Sequence, residues 1–236
     1  MNQHYFFYRS FFLLLLTGII AFISFAHAGP PGESAWLDVP KTGIGAGMTV
    51  CGIDAKELTD FINLSARSQT IGNWNVAGEF FIAPEFHLSS DMSLKIEYAY
   101  LLNSHSIDDP DNIGKIDFSY GVHMPSVIVQ YLFIGAEGYF LKFGGGVGYY
   151  FATLEEKFPS YLGSMRSSAN GIGVKLDISG QTPLGEHVYL ILGAGMRFSF
   201  VGNYSGGIFD EPSTSNRSVS MNFISIGVTL GFIYYF

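Results

Sequence analysis

The sequence predicts an all-β fold, a transmembrane up-and-down antiparallel β-barrel of eight strands with short periplasmic turns and long extracellular loops. Three observations support this prediction. The chain ends on a strand in which every second residue from Ile226 to Phe236 is apolar or aromatic. Short and long connections alternate between the predicted strands, and charged residues fall on the face opposite the apolar one. Because successive strand side chains point to opposite faces, this pattern is typical of a barrel with lipid outside and polar groups inside.

Residues 1–28 have the pattern of a signal peptide. Arg9 is their only charged residue, residues 11–25 are almost wholly apolar, and Ala26-His27-Ala28 places small residues where a signal peptidase requires them. We therefore expect cleavage after Ala28, which leaves residues 29–236 as one outer-membrane barrel domain. An uncleaved membrane anchor helix is the alternative.

The first four strands are predicted at residues 42–52, 75–88, 92–103 and 115–133. The first has a glycine-rich second face. The fourth changes phase after Pro125, which predicts a β-bulge there, because proline cannot donate a hydrogen bond to the ladder. The residues expected to face outward are Ile44, Ala46, Met48, Val50, Phe80, Ile82, Pro84, Phe86, Leu88, Leu94, Ile96, Tyr98, Tyr100, Leu102, Ile116, Phe118, Tyr120, Val122, Val127, Val129, Tyr131 and Phe133.

The last four strands are predicted at residues 138–151, 169–181, 187–201 and from about 219 to the end. Each has one apolar face, opposite a face that carries glycine and charged residues. The residues expected to face outward are Tyr139, Leu141, Phe143, Val147, Tyr149, Ile172, Val174, Leu176, Ile178, Leu190, Leu192, Ala194, Met196, Phe198, Ile226, Val228, Leu230, Phe232, Tyr234 and Phe236.

The connections between these strands alternate in length. The short ones are residues 89–91, 134–137 and 182–186. The long ones are residues 53–74, 104–114, 152–168 and 202–218. An even-stranded membrane barrel needs this order, with turns on the periplasmic side and loops outside. A soluble ligand-binding barrel also meanders, but its apolar face points inward, whereas here the charged face would be the interior one.

The first long connection contains a predicted helix. Asp54 followed by Glu57 resembles a capping box, and Leu58, Phe61 and Ile62 have helical spacing. We expect a short helix on the outer rim of the barrel.

Composition limits the possible partners. The chain carries a formal net charge of −8, and after signal cleavage it would keep 11 of 12 basic and all 20 acidic residues, for a charge of −9. This balance argues against nucleic acid and against a polybasic lipid-binding surface. The single cysteine, Cys51, excludes an intramolecular disulfide, and a buried thiol is favoured over a reactive or intermolecular one.

The charged residues at predicted inward positions are the candidate functional site. An eight-stranded barrel is just wide enough for side chains to fill it, and buried charges need partners, so we expect a salt-bridged lumen. A symmetrical turn at residues 89–91 would place Glu85 opposite Lys95. The predicted lumen charges are Glu79, Glu85, Lys95, Glu97, Asp117, Lys142, Lys175, Asp177 and Arg197.

The lumen also has an alternative interpretation. Small inward residues, Gly144, Gly146, Gly148, Gly193 and Gly195, could leave room for water and form a narrow, porin-like path for ions or small solutes. The same glycines could instead allow close packing against the aromatic residues Phe81, Tyr150 and Tyr235. The filled lumen is favoured.

With these features the chain resembles the small outer-membrane β-barrel proteins of Gram-negative bacteria, the OmpA-, OmpX- and OmpW-like group. The resemblance rests on the signal peptide, the eight alternating segments, and Phe236 with Tyr234 two residues before it. It implies that Phe232, Tyr234 and Phe236 form the signal for the barrel assembly machinery. It also implies that the barrel lies in outer-membrane lipid and lipopolysaccharide.

Enzyme motifs are weak in this chain. His87-Leu88-Ser89 has the His-x-Ser form of outer-membrane lipid A deacylases, but it lies beside a predicted periplasmic turn, on the wrong side for that substrate. His105 and Ser106, with Asp108, lie in a predicted outer loop and are interpreted as solvated loop residues. No GxSxG motif occurs. We predict no catalytic, metal or cofactor site.

We therefore expect a non-catalytic structural, adhesion or surface-interaction protein of the Gram-negative cell envelope. Its barrel would be the anchor and its surface loops the variable part, and a monomer is favoured. A narrow channel for small solutes or ions is the alternative, and a lipid-modifying enzyme is a third possibility.

Overall fold

The chain folds into a closed barrel of eight antiparallel strands, each paired with its neighbours in sequence. The strands are β1 (Thr42–Asp54), β2 (Trp74–His87), β3 (Met92–Asp108), β4 (Lys115–Ile134), β5 (Phe140–Lys157), β6 (Ser164–Pro183), β7 (Val188–Phe200) and β8 (Phe223–Tyr235). The computed structural model describes residues 42–65, 74–89, 91–108, 114–134, 139–158, 163–205 and 219–236. β1 pairs with β8 and closes the barrel, so the predicted eight-stranded up-and-down architecture is confirmed.

The two ends of the barrel differ. One end carries the connections at residues 88–91, 135–139 and 184–187 and is called the turn end below. The opposite end, called the helix end, carries helix α1 (Lys56–Ser65), which confirms the predicted rim helix. None of the helical structure in the described part of the chain is long and apolar enough to span a membrane. The predicted signal peptide, residues 1–28, lies outside the described residues.

Helix α1 begins differently from the predicted capping box. Asp54 belongs to β1, and the carbonyl oxygen of Ala55 accepts the first helical backbone bond. The Glu57 carboxylate accepts hydrogen bonds from the backbone N–H and the hydroxyl of Ser220, at 3.1 and 2.6 Å. Glu57 therefore links the helix to the segment that precedes β8.

A belt of exposed apolar side chains surrounds the barrel from the turn end to beyond its middle. In water such a continuous surface would be unfavourable, whereas hydrocarbon accommodates it. It contains most residues predicted to face outward, which supports the sequence-based assignment of these faces. Examples are Ile44, Met48, Phe80, Ile82, Ile96, Tyr98, Val127, Val129, Phe143, Val147, Leu176, Leu192, Val228, Leu230 and Phe232.

Strands β3, β5 and β6 extend further toward the helix end than the sequence predicts. The ladder between β3 and β4 continues through residues 104–108, and the ladder between β5 and β6 continues through residues 152–157 and 164–168, so the loop assignments of these residues are wrong. The outward face there is polar, so the apolar alternation ends before the strands do. The last residues of these ladders are Asp108, Lys115, Lys157 and Ser164.

Strand β4 shows this change of polarity most clearly. It pairs with β3 in unbroken register through Pro125, so the predicted phase change and β-bulge are wrong. The residues predicted to face outward in its first half face inward instead. Of these residues, Phe118, Tyr120 and Val122 are buried, and Ile116 is partly buried.

The helix-end core is the apolar cluster inside this part of the barrel. Helix α1 covers this cluster at the helix end with Leu58, Phe61 and Ile62. Burial of each side chain of this size stabilises the fold by about 1.5–3 kcal/mol. Strands supply most of the other members. These include Cys51, Ile53, Leu101, Ile107, Phe118, Tyr120, Val122, Met124, Tyr150, Ala152, Leu154 and Phe223.

The chain after β7 completes the closure of the helix end. Gly202 has a φ of +75°, a left-handed conformation that glycine adopts without strain. On either side of it, Val201 and Tyr204 are buried in the helix-end core. Backbone bonds then join this segment to the residues before β8, through Tyr204 and Val219.

Candidate functional site

The lumen charge network consists of eight of the nine predicted lumen charges. They stand at inward positions of β2, β3, β5, β6 and β7, because side chains of each strand alternate between the lumen and the outside. All are largely buried. The network residues are Glu79, Glu85, Lys95, Glu97, Lys142, Lys175, Asp177 and Arg197.

Arg197 is the centre of the network. Its Nε and one terminal nitrogen bind the two carboxylate oxygens of Glu79 at 3.0 and 2.7 Å, a bidentate pairing. The same terminal nitrogen lies 2.6 Å from Glu97 Oε1, and the other donates to the Tyr150 hydroxyl at 3.1 Å. One guanidinium group thus ties β7 to β2, β3 and β5.

The middle of the lumen is built around Glu97 and Asp177. Lys175 Nζ donates to both oxygens of Glu97 at 2.7 and 2.8 Å. Lys95 Nζ lies 3.4 Å from Glu97 Oε2 and 3.0 Å from Asp177 Oδ2. Gln130 Nε2 also donates to Asp177 Oδ2, at 3.1 Å. Two lysines and two carboxylates therefore share partners across the lumen.

The predicted pair of Glu85 and Lys95 is correct in register but wrong as an ion pair. The two residues stand directly opposite each other on β2 and β3. Lys95 nevertheless reaches across to Asp177, and Glu85 pairs with Lys142. In a closed barrel, long inward side chains converge toward the axis, so a partner across the lumen competes with the one on the next strand.

The network continues to the turn end through hydroxyl and amide groups. Lys142 Nζ contacts Glu85 and donates to the Tyr235 hydroxyl at 2.8 Å, and that hydroxyl donates to Gln181 Oε1 at 2.8 Å. His87 Nε2 lies 3.0 Å from Glu85 Oε1. Tyr235 was expected only as an aromatic residue that packs against inward glycines, and Gln181 was not expected, because only charged residues were considered for the network. The inward position of Gln181 in β6 would have revealed it.

The network is balanced in charge. Its four carboxylates meet four cationic side chains, so it carries no net formal charge. Removing a charge from water costs several kcal/mol, and a group is stable in such a site only when it is paired and hydrogen-bonded. The balance therefore favours a filled interior over a surface that attracts ions of one sign.

Asp117, the ninth predicted lumen charge, does not belong to the network. It faces outward on β4, where its carboxylate accepts a hydrogen bond from Ser106. The prediction was wrong because it followed from the incorrect phase assigned to the first half of β4. Along that half, the residues predicted to face inward face outward, and those predicted to face outward face inward.

The lumen contains a cavity of about 40 Å³ beside the network. This is room for about three water molecules. Small residues of β1 and β7 form one wall, and the charged side chains form the other. Its lining includes Gly45, Ala83, Lys95, Gln130, Lys175, Asp177, Ser179, Gln181, Gly193, Gly195 and Thr229.

The inward glycines fit both interpretations that the sequence left open, since some line a cavity and others allow close packing. Gly193 and Gly195 line the cavity. By contrast, a Cβ added at Gly148 or Gly173 would overlap the ring of Tyr150, so these positions need glycine for close packing. Tyr150 fills the lumen where the charged network meets the helix-end core.

The histidine and serine residues considered for catalysis do not share one constellation. His87 lies in the lumen beside Glu85, whereas Ser89 is in the turn and donates to Asp91 at 2.7 Å. His105 and Ser106 are neighbours in β3 and therefore point to opposite faces. The side chain of Asp108 lies outside the described residues.

Phe232, Tyr234 and Phe236 lie on the outward face at the turn end, and all three are exposed. Tyr234 and Phe236 are in edge-to-face contact, with ring centroids 5.3 Å apart. This placement leaves them accessible along one line of the barrel exterior. Their role as an assembly signal stays a prediction.

Comparison with known proteins gives matches in structure alone. No family model and no curated protein sequence matches the chain. Neisserial surface protein A (NspA) matches with a TM-score of 0.54 at 13% identity, over 83% of this chain and 97% of that chain. The chain has the fold of small outer-membrane barrels. A major outer membrane protein from Thermus thermophilus also matches, with a TM-score of 0.55 at 14% identity, over 83% of this chain and 99% of that chain.

These matches confirm the predicted resemblance at the level of the fold. The barrel topology and the transmembrane architecture are therefore shared with the small outer-membrane barrels. At these identities the comparison assigns no activity, and the function has to be argued from the site.

Proposed function

We propose that the protein is a non-catalytic barrel of the bacterial outer membrane, closed to solutes, which presents its helix end to the outside of the cell. The observation that carries this proposal is the closure of the lumen in two consecutive layers. The lumen charge network fills the turn-end part, and the helix-end core fills the rest. The role is that of an anchored surface-interaction or structural protein.

The orientation follows from the strand connections. In outer-membrane barrels the short turns face the periplasm and the longer connections face outward. Here the turn end carries the short connections together with the end of β8. The helix end, with its extended strands β3 to β6, is then the surface available to partners. Lipid and lipopolysaccharide would surround the apolar belt.

A narrow channel is the competing function, and two observations weigh against it. The network has no net charge, and its side chains bind one another rather than lining an open path. Beyond them, Phe118, Tyr150 and Leu154 belong to a buried apolar cluster that offers an ion no replacement for its hydration shell. The cavity of about 40 Å³ lies beside the network and has room for only a few water molecules, which is too little for a path through the lumen.

Single-channel recording in planar bilayers tests the proposal. We expect no stable, reproducible conductance from purified barrel whose insertion has been verified by heat-modifiable gel migration. A general porin in the same bilayers is the positive control. A reproducible conductance step from the wild-type barrel would contradict the closed lumen and establish the channel function instead.

A further inference from the structure

The outer face of strands β3 to β6 continues beyond the apolar belt as a polar surface. On these strands the belt ends at a group of outward side chains, aromatic and polar, that contact one another. This boundary cluster consists of Tyr98, Tyr100, His123, Tyr149, Phe151 and Asn170. It lies on one side of the barrel, where the strands are longest.

Two tyrosines of the boundary cluster direct their hydroxyl groups toward the helix end. The Tyr98 hydroxyl shares a hydrogen bond of 2.6 Å with His123 Nδ1, and the Tyr149 hydroxyl donates to Asn170 Oδ1 at 2.5 Å. In each pair the partner stands further toward the helix end than the tyrosine. Tyrosine at the edge of a membrane keeps its ring in the apolar layer and its hydroxyl in the polar one, so the cluster marks the limit of the hydrocarbon.

Tyr100 supports the same orientation and fixes the ring of His123. The two rings lie 4.6 Å apart between centroids. The Tyr100 hydroxyl lies over Gly121, where an added Cβ would overlap it. Because Tyr98 already engages Nδ1 of His123, Nε2 is the ring nitrogen that remains for another partner.

Beyond the boundary cluster, toward the helix end, the outward residues of β3 to β6 form the polar wall. Its members are exposed or half-buried, and most carry hydroxyl or charged groups. The polar wall consists of Ser104, Ser106, Asp117, Ser119, Thr153, Glu155, Lys157, Arg166 and Ser168.

The opposite side of the barrel is different. There the outward residues remain apolar close to the helix-end limits of the strands. Val50 of β1, Val76 of β2, Phe200 of β7 and Ile224 of β8 are all exposed. A lipid headgroup therefore meets a polar protein surface on the side of β3 to β6 and an apolar one across the barrel.

The height of the polar wall indicates the size of the headgroup that fits it. From Asn170 to Ser164, β6 rises about 20 Å along its own axis, or about 15 Å along the membrane normal at the usual strand tilt. A phospholipid headgroup layer is only about 5–8 Å thick on each side of a bilayer. A lipid with a larger headgroup is needed to cover the wall.

The charges of the polar wall favour a sugar over a phosphate as the group that it contacts. Glu155 stands opposite Arg166, and Asp117 stands opposite Lys157. Lys157 Nζ also lies 3.7 Å from Glu155 Oε1. Each cation has a carboxylate beside it, so the wall lacks the concentrated positive charge that binds phosphate. Its remaining groups are hydroxyls, with imidazole, amide and aromatic groups at its base.

We propose that the boundary cluster and the polar wall bind the saccharide headgroup of an outer-leaflet glycolipid. The proposed outer-membrane location, with the helix end outside, is the condition for this binding. Sugars carry hydroxyl groups at their edges and C–H groups on their faces, so they match hydroxyl, amide and imidazole groups beside exposed aromatic rings.

The acyl chains of the same lipid lie against the apolar belt. Val127, Val147 and Ile172 are exposed on the strands that carry the wall, so the two surfaces are continuous. His123 and Asn170 contact the sugars nearest the hydrocarbon, and the polar wall contacts those further out. The lipid layer around the barrel is therefore asymmetric, with glycolipid held on one side.

Nuclear magnetic resonance of the full barrel in phosphatidylethanolamine nanodiscs tests this site. Lipopolysaccharide with core sugars is added in one series, and lipid A, which has the same phosphates and acyl chains but only two sugars, in another. We expect the signals of Thr153, Ser168 and Asn170 to shift with lipopolysaccharide much more than with lipid A, while Val50 and Ile224 stay unchanged. Equal responses to the two lipids, or no response at the wall, would overturn the proposal.

Matched variants locate the binding groups. His123→Leu and Thr153→Val each remove a hydrogen-bonding group from the outer surface and should weaken lipopolysaccharide binding about fivefold. Thr182→Val makes the same change as Thr153→Val on the outward face of β6 at the turn end, and should bind like wild type. Wild-type affinity in both test variants, or equal weakening in Thr182→Val, would show that the site is wrong. The wild-type comparison of the two lipids decides even if a variant fails to form a barrel.

Failure of this site and failure of the proposed function give different results. A barrel that does not conduct and shows no preference for lipopolysaccharide overturns the glycolipid site alone. A barrel that conducts but shows the expected shifts overturns the closed lumen alone. Shifts at the turn end in place of the polar wall would contradict the orientation and the site together.

Discussion

Lys95 illustrates what decides the partner of a buried charge in a narrow barrel. Its position and its neighbour across the strand pair, Glu85, follow from the sequence because alternation and a short turn fix the register. Its ion-pair partner, Asp177, comes from β6 across the lumen. The sequence contains no local signal for such a contact, since it depends on closure of the barrel.

Double-mutant cycles should identify the true partner of Lys95. We expect Lys95→Met and Asp177→Asn to be coupled by about 1–3 kcal/mol in the free energy of unfolding, because each removes the same buried contact. Lys95→Met and Glu85→Gln should be coupled less. Urea unfolding of the four variants of each cycle in detergent gives both values, and stronger coupling to Glu85 would restore the pair that the sequence suggested.

Strand β4 shows where an element prediction reaches its limit. A strand that crosses two environments has two alternation patterns, apolar outward within lipid and apolar inward beyond it. The sequence shows this as a change of phase near Pro125, which is also the pattern a β-bulge produces. The pattern alone does not separate the two cases. The structure separates them, because the β3–β4 ladder continues without a break through the pair of Tyr98 and Pro125.

Cysteine labelling on intact cells would distinguish the two faces of β4. In a Cys51→Ala background, Phe118→Cys should be unreactive toward a membrane-impermeant maleimide, because its side chain lies in the helix-end core. Ser119→Cys should react, because that position faces outward beyond the apolar belt. Fast labelling at position 118 together with protection at 119 would mean that the strand has the opposite phase.

At the scale of the whole molecule, one continuous barrel has two parts. The part within the apolar belt has the apolar exterior of a membrane protein, and the helix end has the polar exterior and apolar interior of a water-soluble barrel. The closed topology, the apolar belt and eight of the nine lumen charges could be predicted from alternation. The extra length of β3, β5 and β6 and the helix-end core could not be predicted in this way. Their apolar residues point inward, as in a soluble protein, and so give no signal for membrane strands.

Arg197 connects four strands of the barrel, so its loss should affect the stability of the whole molecule. Arg197→Met leaves Glu79 and Glu97 with fewer buried partners, and breaking such a pair costs about 3–5 kcal/mol. Arg166→Met, on the outward face of β6, is the matched control and should cost less than about 1 kcal/mol. Both are measured by urea unfolding in detergent, and equal losses would show that the network contributes little.

The polar exterior of the helix end imposes a condition on how the barrel reaches its final position. Lys115, Asp117, Glu155, Lys157 and Arg166 stand outside the wall, beyond the apolar belt. If the barrel enters from the periplasm, these side chains must cross the hydrocarbon layer, where each cationic group costs about 2–4 kcal/mol at the midplane. Unassisted insertion should therefore be slow and should slow further in thicker bilayers, because the charges have farther to travel.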